Sequence, residues 1–355
     1  MNKWVRADLQ GYEPYNATVQ PCPVVLDANE SPWGLPEAVR REMADWFLNG
    51  EDLNRYPDTD SVALREAIAA FWGNGLAKEN IVCGVGSDQL IDYVTKSMLA
   101  PGDVVVTAAP TFSMYGLTTR LNHGRIENYP LCRDNDFALD ADGFIAFAKE
   151  KKVRLAIVCT PNNPTGTPVC VDTLRKITEA LDCPVMVDEA YGEFAESETM
   201  IPFVGQYENL LVLRTFSKAY GLAGARIGYS VSQPALADAI HIVRAPYNVP
   251  TVAQVLAQAV LRNIEAFKPR IAALTEARKA LFLQLRELEG IKAYSSAANF
   301  VYFETEMNVS DALAEAGIRV RVFQKGEKEK IRLSCGTAEQ NDAAITVLRT
   351  CAGKR

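Results

Sequence analysis

Six short apolar, β-rich runs recur in the first two-thirds of this chain, at residues 81–83, 104–107, 155–159, 185–187, 210–213 and 227–231. Most are continuously apolar rather than alternating, which is the pattern of strands buried on both faces. Helical spacing separates several of them, as at 89–99 and 174–181. Continuous strands interleaved with helices predict an α/β fold with a mostly parallel sheet covered on both sides.

Two amphipathic helices are expected before the first run. Residues 36–48 open on Pro36 and stop before Gly50, and residues 61–72 carry apolar side chains at helical spacing and stop at Gly73. Between them, Pro57 forces the segment around Arg55 and Tyr56 to be extended or turned. After about residue 232 the pattern changes. Long helical stretches at 250–264 and 269–289 precede short strands around Phe300, Val320 and Ile331, which predicts a second, α+β domain. A chain of 355 residues, 48% of them hydrophobic, is long enough for this division. The expected organisation is an N-terminal arm (1–32) joining the small domain, a large domain (33–250), and a small domain (251–355) that begins with a long connecting helix.

Charge and composition remove several function classes. Lys plus Arg is 37 against 44 Asp plus Glu, and no segment is basic enough to neutralise a row of phosphates, so nucleic acid is not an expected partner. No apolar stretch follows the first positive charges and none reaches the roughly 18–20 residues of a membrane span, so a cytoplasmic location is expected. With two histidines, and eight cysteines that form no CxxC pair, no metal site is expected and the thiols read as reduced structural residues.

In an open α/β sheet, ligands collect at the carboxyl ends of the strands. After 81–83 comes Gly84-Val85-Gly86-Ser87-Asp88, small residues opening a helix whose free N–H groups favour an anion. Neither a third glycine nor a Gly-Lys-Ser/Thr follows, so this is not a dinucleotide fingerprint or a P-loop. After 155–159 comes Thr160-Pro161-Asn162-Asn163-Pro164-Thr165-Gly166, a proline-fixed turn presenting amides. After 185–187, Asp188 sits where burial costs several kcal/mol unless a cation meets it, with helix capping as its ordinary alternative. After 210–213 comes Arg214-Thr215-Phe216-Ser217-Lys218, with Arg226 eight residues beyond the lysine. Taken alone, each is more often a loop, a cap or a surface charge. Together they supply an amine for an aldehyde, an acid for a pyridinium nitrogen, donors for a phenolic oxygen and a seat for a phosphate, the requirements of pyridoxal 5′-phosphate.

Asn-Asn-Pro-Thr-Gly at 162–166, Val-Asp-Glu-Ala-Tyr at 187–191 and Thr-Phe-Ser-Lys-Ala-Tyr-Gly-Leu-Ala-Gly-Ala-Arg-Ile-Gly-Tyr at 215–229 resemble the signature of fold-type I aminotransferases. The motifs Pro14-Tyr15, Asp27-Ala28-Asn29-Glu30-Ser31-Pro32, Arg55-Tyr56-Pro57-Asp58, Pro110-Thr111-Phe112-Ser113-Met114-Tyr115, Val320-Arg321 and 331–337 narrow the resemblance to the histidinol-phosphate aminotransferase family. The resemblance implies a large domain with a mostly parallel seven-stranded sheet, a smaller α+β domain, and a homodimer with shared active sites.

It also implies roles. Lys218 would hold the cofactor and act as general base and acid, Asp188 would pair with the pyridinium nitrogen, and Asn163 and Tyr191 would hydrogen-bond the phenolate oxygen. Phe112 would stack on the ring, at a position where the family often has tyrosine. The phosphate would be held by backbone N–H groups at Ser87 and Asp88, by Thr215, Ser217 and Arg226, and by Tyr56 of a second subunit. In 318–323, alternation puts Arg319 and Arg321 on one face and does not choose between them. The family pattern selects Arg321, with Arg332, to grip the anionic groups of the substrates, histidinol phosphate and glutamate, with Tyr15 and Asn29 closing the pocket; Arg319 reads as an ordinary ion pair. The implied reaction converts histidinol phosphate and 2-oxoglutarate to imidazole-acetol phosphate and glutamate. An aromatic aminotransferase or a phosphothreonine decarboxylase of the same fold is the alternative, and a cofactor-binding sensor or a nicotinamide dehydrogenase fits the residues less well.

Overall fold

The computed structural model describes residues 3–6, 9, 21–50, 53–196 and 198–353. In chain order the strands are β1 (Val24–Leu26), β2 (Ile81–Gly84), β3 (Val104–Ala109), β4 (Arg125–Pro130), β5 (Leu155–Cys159), β6 (Val185–Asp188), β7 (Leu210–Thr215), β8 (Gly228–Ser232), β9 (Ile291–Ala293), β10 (Phe300–Thr305), β11 (Ile318–Gln324) and β12 (Glu329–Ser334). The helices are α1 (Glu37–Leu48), α2 (Val62–Trp72), α3 (Gly86–Met98), α4 (Ser113–Leu121), α5 (Ala141–Glu150), α6 (Val171–Ala180), α7 (Pro234–Val243), α8 (Thr251–Arg262), α9 (Lys268–Arg286), α10 (Val309–Glu315) and α11 (Ala338–Ala352).

The six expected apolar runs lie in one seven-stranded sheet, ordered β2-β8-β7-β6-β5-β3-β4. Only β8 runs against the rest, pairing antiparallel with both β2 and β7. The carboxyl ends of β2, β5, β6 and β7 therefore share one edge, and β8 starts from that edge. The strands are buried on both faces: Val106, Val158, Val187 and Val212 enter one core, while Val105, Ile157, Met186 and Leu211 enter the other. Helices α3, α4 and α7 cover the second core, and α6 buries Val171, Leu174 and Ile177 in the first. Each such side chain contributes roughly 1.5–3 kcal/mol on leaving water, which fixes the layers against one another.

The seventh strand, β4, is absent from the sequence expectation. It is an edge strand, half-exposed and polar, ending in Pro130, so it lacks the apolar signature of its neighbours. Helices α4, α5, α7, α10 and α11 also lie outside that expectation; at α5 and α11 local caps mark the start. Asp140 accepts from the N–H of Asp142 at α5, and Thr337 and Gln340 form a capping box at α11.

The second sheet is ordered β1-β11-β12-β10-β9, with β1 parallel to β11 and the remaining pairs antiparallel. The residues just after β1 are thereby carried from the N-terminal segment to the junction of the two sheets. Arg133, in the turn after β4, pairs with buried Glu304 on β10 across that junction. All eight cysteines are unpaired, and burial pushes the thiols of Cys83 and Cys335 up to about 12, so they are packed as apolar groups. Among the described residues no helix is long and apolar enough to cross a membrane.

Candidate active site

The shared strand edge begins with the turn from β2 into α3. Gly86 has φ +73°, so the turn needs glycine for its backbone, and a Cβ there would lie 2.7 Å from Nη2 of Arg226. A Cβ on Gly228, the first residue of β8, would lie 2.7 Å from the backbone nitrogen of Ser87. The α3 N-terminus therefore presses directly against the start of β8. Arg226 donates to Oδ2 of Asp88 at 3.1 Å. At the end of β7, buried Thr215 accepts from the N–H of Ser217 at 3.1 Å and donates to the carbonyl of Ile227 at 3.4 Å. Ser87, Asp88, Thr215, Ser217 and Arg226 are thus gathered around one helix N-terminus, whose N–H groups and dipole favour an anion.

Asp188 closes β6 and is 3% exposed. Its Oδ2 accepts from the hydroxyl of Tyr115 at 2.6 Å, and its Oδ1 from the N–H of Ala190 at 3.0 Å. Both donors are neutral. Burial pushes the carboxyl up to about 6 against the pull of these two bonds, so the expected cost of a buried acid is real here. Phe112, the residue before α4, sets its ring edge-on to Tyr115 with centroids 5.7 Å apart.

Lys218 follows β7. Its Nζ donates to the carbonyl of Ala28 at 2.8 Å and lies 5.9 Å from the centroid of the Tyr191 ring. Desolvation, then the charge of Arg332, lowers the amine to about 8. Tyr191 is buried, accepts from Nδ2 of Asn29 at 3.0 Å, and packs edge-on against Phe300. Burial pushes its phenol up to about 12, so the hydroxyl keeps its proton.

Asn29 adopts φ +55°, an uncommon conformation for a non-glycine residue, and is held on several sides. Its N–H donates to Oγ of Ser334 at 2.9 Å, that hydroxyl donates back to Oδ1 of Asn29 at 2.8 Å, and Asn299 donates to the Asn29 carbonyl at 3.1 Å. Arg332, on β12, donates through Nη1 to Oδ1 of Asn163 at 2.6 Å and through Nη2 to the Asp27 carbonyl at 2.5 Å. It stands opposite Arg321 in the β11–β12 ladder, with the ring of Phe323 near both guanidinium groups. Like charges placed face to face are unfavourable alone and suit an anionic ligand. Arg319 pairs with Asp27 at 2.8 Å, as its ordinary reading requires.

Most residues expected at the site are therefore brought together in one chain. Tyr56 is not: it is 81% exposed and stacks on Tyr247 with centroids 4.5 Å apart. Tyr15 lies outside the described residues.

Two features were missed. One is the Tyr115 hydroxyl on Asp188; its sequence signal is its place three residues after Phe112, on the same helix face. The other lies behind the strand ends. Buried Arg214 pairs with Glu189 at 3.0 Å and with Glu193 at 3.2 Å, and its guanidinium lies 5.0 Å from the centroid of the Trp72 ring. A charged residue inside the β7 run was the available signal.

The family model for aminotransferase class I and II matches residues 23–348. The chain is 40% identical over 349 residues to the histidinol-phosphate aminotransferase of Ruminiclostridium cellulolyticum, covering 97% of both chains. It is 34% identical to the enzyme of the same name from Clostridium novyi, covering 97% of this chain and 96% of that one. Among solved structures, the histidinol-phosphate aminotransferase of Sinorhizobium meliloti in complex with pyridoxal 5′-phosphate superposes with a TM-score of 0.87 at 23% identity, covering 100% of this chain and 99% of that one. An aspartate aminotransferase from Thermus thermophilus gives 0.81 at 23% identity, covering 92% and 91%. At these identities the two structures speak to the fold.

Proposed function

Because this chain belongs to the class I and II aminotransferase family, we propose that it transfers the amino group of histidinol phosphate to 2-oxoglutarate, giving imidazole-acetol phosphate and glutamate, with pyridoxal 5′-phosphate as cofactor. One cluster carries the reading: around the buried Tyr191 ring stand an amine, Lys218, a buried acid held only by neutral donors, Asp188, and the guanidinium of Arg332, which faces Arg321 in the ladder. The donor set fits the cofactor. Asp188 offers a negative charge where a pyridinium would relieve its desolvation, and the α3 N-terminus with Arg226 suits a phosphate.

When bound, the cofactor supplies an aldehyde that accepts amino groups and a ring that withdraws electrons from the reacting carbon. The protein's part is orientation and proton transfer. Lys218, its amine lowered to about 8, holds and returns the proton at Nζ. Tyr191 accepts from Asn29, so its own O–H is free to donate to the ring oxygen; Asn163 spends its carbonyl on Arg332, so its amide N–H₂ is the free end. Thr215, Ser217, Arg226 and the backbone N–H groups of Ser87 and Asp88 would hold the cofactor phosphate, and Phe112 would stack on the ring. The Asp88 carboxylate is engaged by Arg226, which leaves its backbone for the anion. Arg321 and Arg332 bind the phosphate of one substrate and the carboxylates of the other, so both half-reactions use one pocket, closed by Asn29.

Tyr56 completes the site of a second subunit in a homodimer, and its exposed ring supports that reading. Residues 33–250 form the cofactor-binding domain, and 251–355 with the arm 1–32 form the domain that carries the substrate arginines. The location is the cytoplasm.

The test is turnover by purified protein of histidinol phosphate set against tyrosine, phenylalanine and phosphothreonine, with 2-oxoglutarate as acceptor. Fastest turnover of histidinol phosphate, with bleaching of the yellow protein by the donor, is expected. Lys218→Ala should lose both colour and activity. Preference for an aromatic amino acid, or release of carbon dioxide from phosphothreonine, would overturn the substrate, and an active Lys218→Ala variant would overturn the mechanism.

A further inference from the structure

Tyr115 is fully buried in the first turn of α4, and its hydroxyl donates to Oδ2 of Asp188 at 2.6 Å. It reaches Asp188 across a separation of 73 residues, from the same short segment that presents Phe112. With the N–H of Ala190 on Oδ1, each carboxylate oxygen has one fixed donor, which sets the plane of the group. The α4 segment thus carries both a ring to stack on the cofactor and a hydroxyl to hold its acid.

We propose that Tyr115 is a positioning residue for the transamination: its hydroxyl locks the Asp188 carboxylate in the one orientation that serves the ring nitrogen of the bound cofactor. The inference rests on the assignment of Asp188 to that nitrogen. Tyr115 acts as a donor and not as a proton relay. Burial and the neighbouring carboxylate hold its phenol well above the ordinary range, so the proton stays on the tyrosine oxygen. Water has no access to replace the bond, because the side chain is sealed within the core beneath α3 and α4.

The experiment is a double-mutant cycle with Tyr115→Phe and Asp188→Asn, read on holoenzyme by the affinity for pyridoxal phosphate, the pH titration of the visible absorbance band, and kcat and KM for the amino donor. Tyr115→Phe keeps the ring and removes one charge-assisted hydrogen bond, so cofactor affinity should fall by about tenfold. The band should titrate at a displaced pH, and kcat should fall while KM changes less than about twofold. In the Asp188→Asn background the same substitution should cost almost nothing, because the group it positions is gone. An equal loss in both backgrounds would make Tyr115 a packing residue and overturn the proposal. So would a Tyr115→Phe enzyme with the original affinity and titration. If Asp188→Asn itself binds cofactor with unchanged affinity and an unchanged band, the assignment of Asp188 fails, and the proposal with it. Thermal midpoints and near-UV circular dichroism of each variant separate these outcomes from misfolding.

Discussion

The amine of Lys218 donates its hydrogen bond to the backbone carbonyl of Ala28 at 2.8 Å. A neutral carbonyl does little to retain a proton on the amine, and desolvation with the charge of Arg332 brings it to about 8. Uptake of pyridoxal phosphate by cofactor-free protein, followed by stopped-flow absorbance, should accelerate with pH and level off near 8. An ordinary lysine would continue to about 10.4. Arg332→Gln removes one cause of the depression and should move the plateau to higher pH. A rate still climbing steeply at pH 9.5 in the unmodified protein would contradict the assignment.

Asp188 gives a second pH signature, in stability. Its carboxyl is raised from 3.8 to about 6 in the folded chain. The folded state therefore favours the protonated form: the associated stability is fully present below about pH 4 and is lost as the pH rises through 6. A shift of that size corresponds to roughly 3 kcal/mol. In urea titrations of cofactor-free protein between pH 4 and 8, the unmodified chain should lose about that much more stability than Asp188→Asn. Parallel pH curves would refute it.

The arginines should separate cleanly. Arg332→Ala removes a buried fork from the centre of the site, and KM for both the phosphorylated donor and 2-oxoglutarate should rise about 100-fold or more. Arg321→Ala should act in the same direction. Arg319 is occupied by Asp27, and Arg319→Ala should leave both KM values within about threefold. Steady-state kinetics decide this, and an Arg319 effect as large as that of Arg332 would reassign the pocket.

Arg214→Met tests the support behind the strand ends. It leaves Glu189 and Glu193 buried without their cation, at a cost of about 3–5 kcal/mol in urea unfolding. Replacing both glutamates by glutamine in the same chain should restore most of the loss. A single variant of unchanged stability would show that the cluster contributes little.

The parts of the fold that the sequence made legible are those where one residue's environment is set by its own run. Leu155–Cys159 is buried at every position, and its apolar continuity says so. β4 escaped because an edge strand can be polar, and β1 because three residues carry no periodicity. The site divides in the same way. Asp188 follows an apolar run directly, and Thr215 and Lys218 come just after another, so the rule about strand ends finds them. Arg332 and Asn29 rested on family resemblance, since they come from distant segments. Tyr115 and Arg214 were missed as functional partners because a partner 73 or 25 residues away leaves no mark in local spacing.

The parallel pairing of β1 with β11 joins Val24 to Ile318. A ribosome makes the first of these strands nearly three hundred residues before the second, and a contact of such separation is slow to close. Asp27, Ala28 and Asn29 must wait, tethered beside β1, until β11 (Ile318–Gln324), near the end of the polypeptide, emerges. The pocket is consequently among the last parts of the molecule to mature during synthesis. A nascent chain stalled short of residue 318 would own its lysine and its acid while lacking the floor on which they converge.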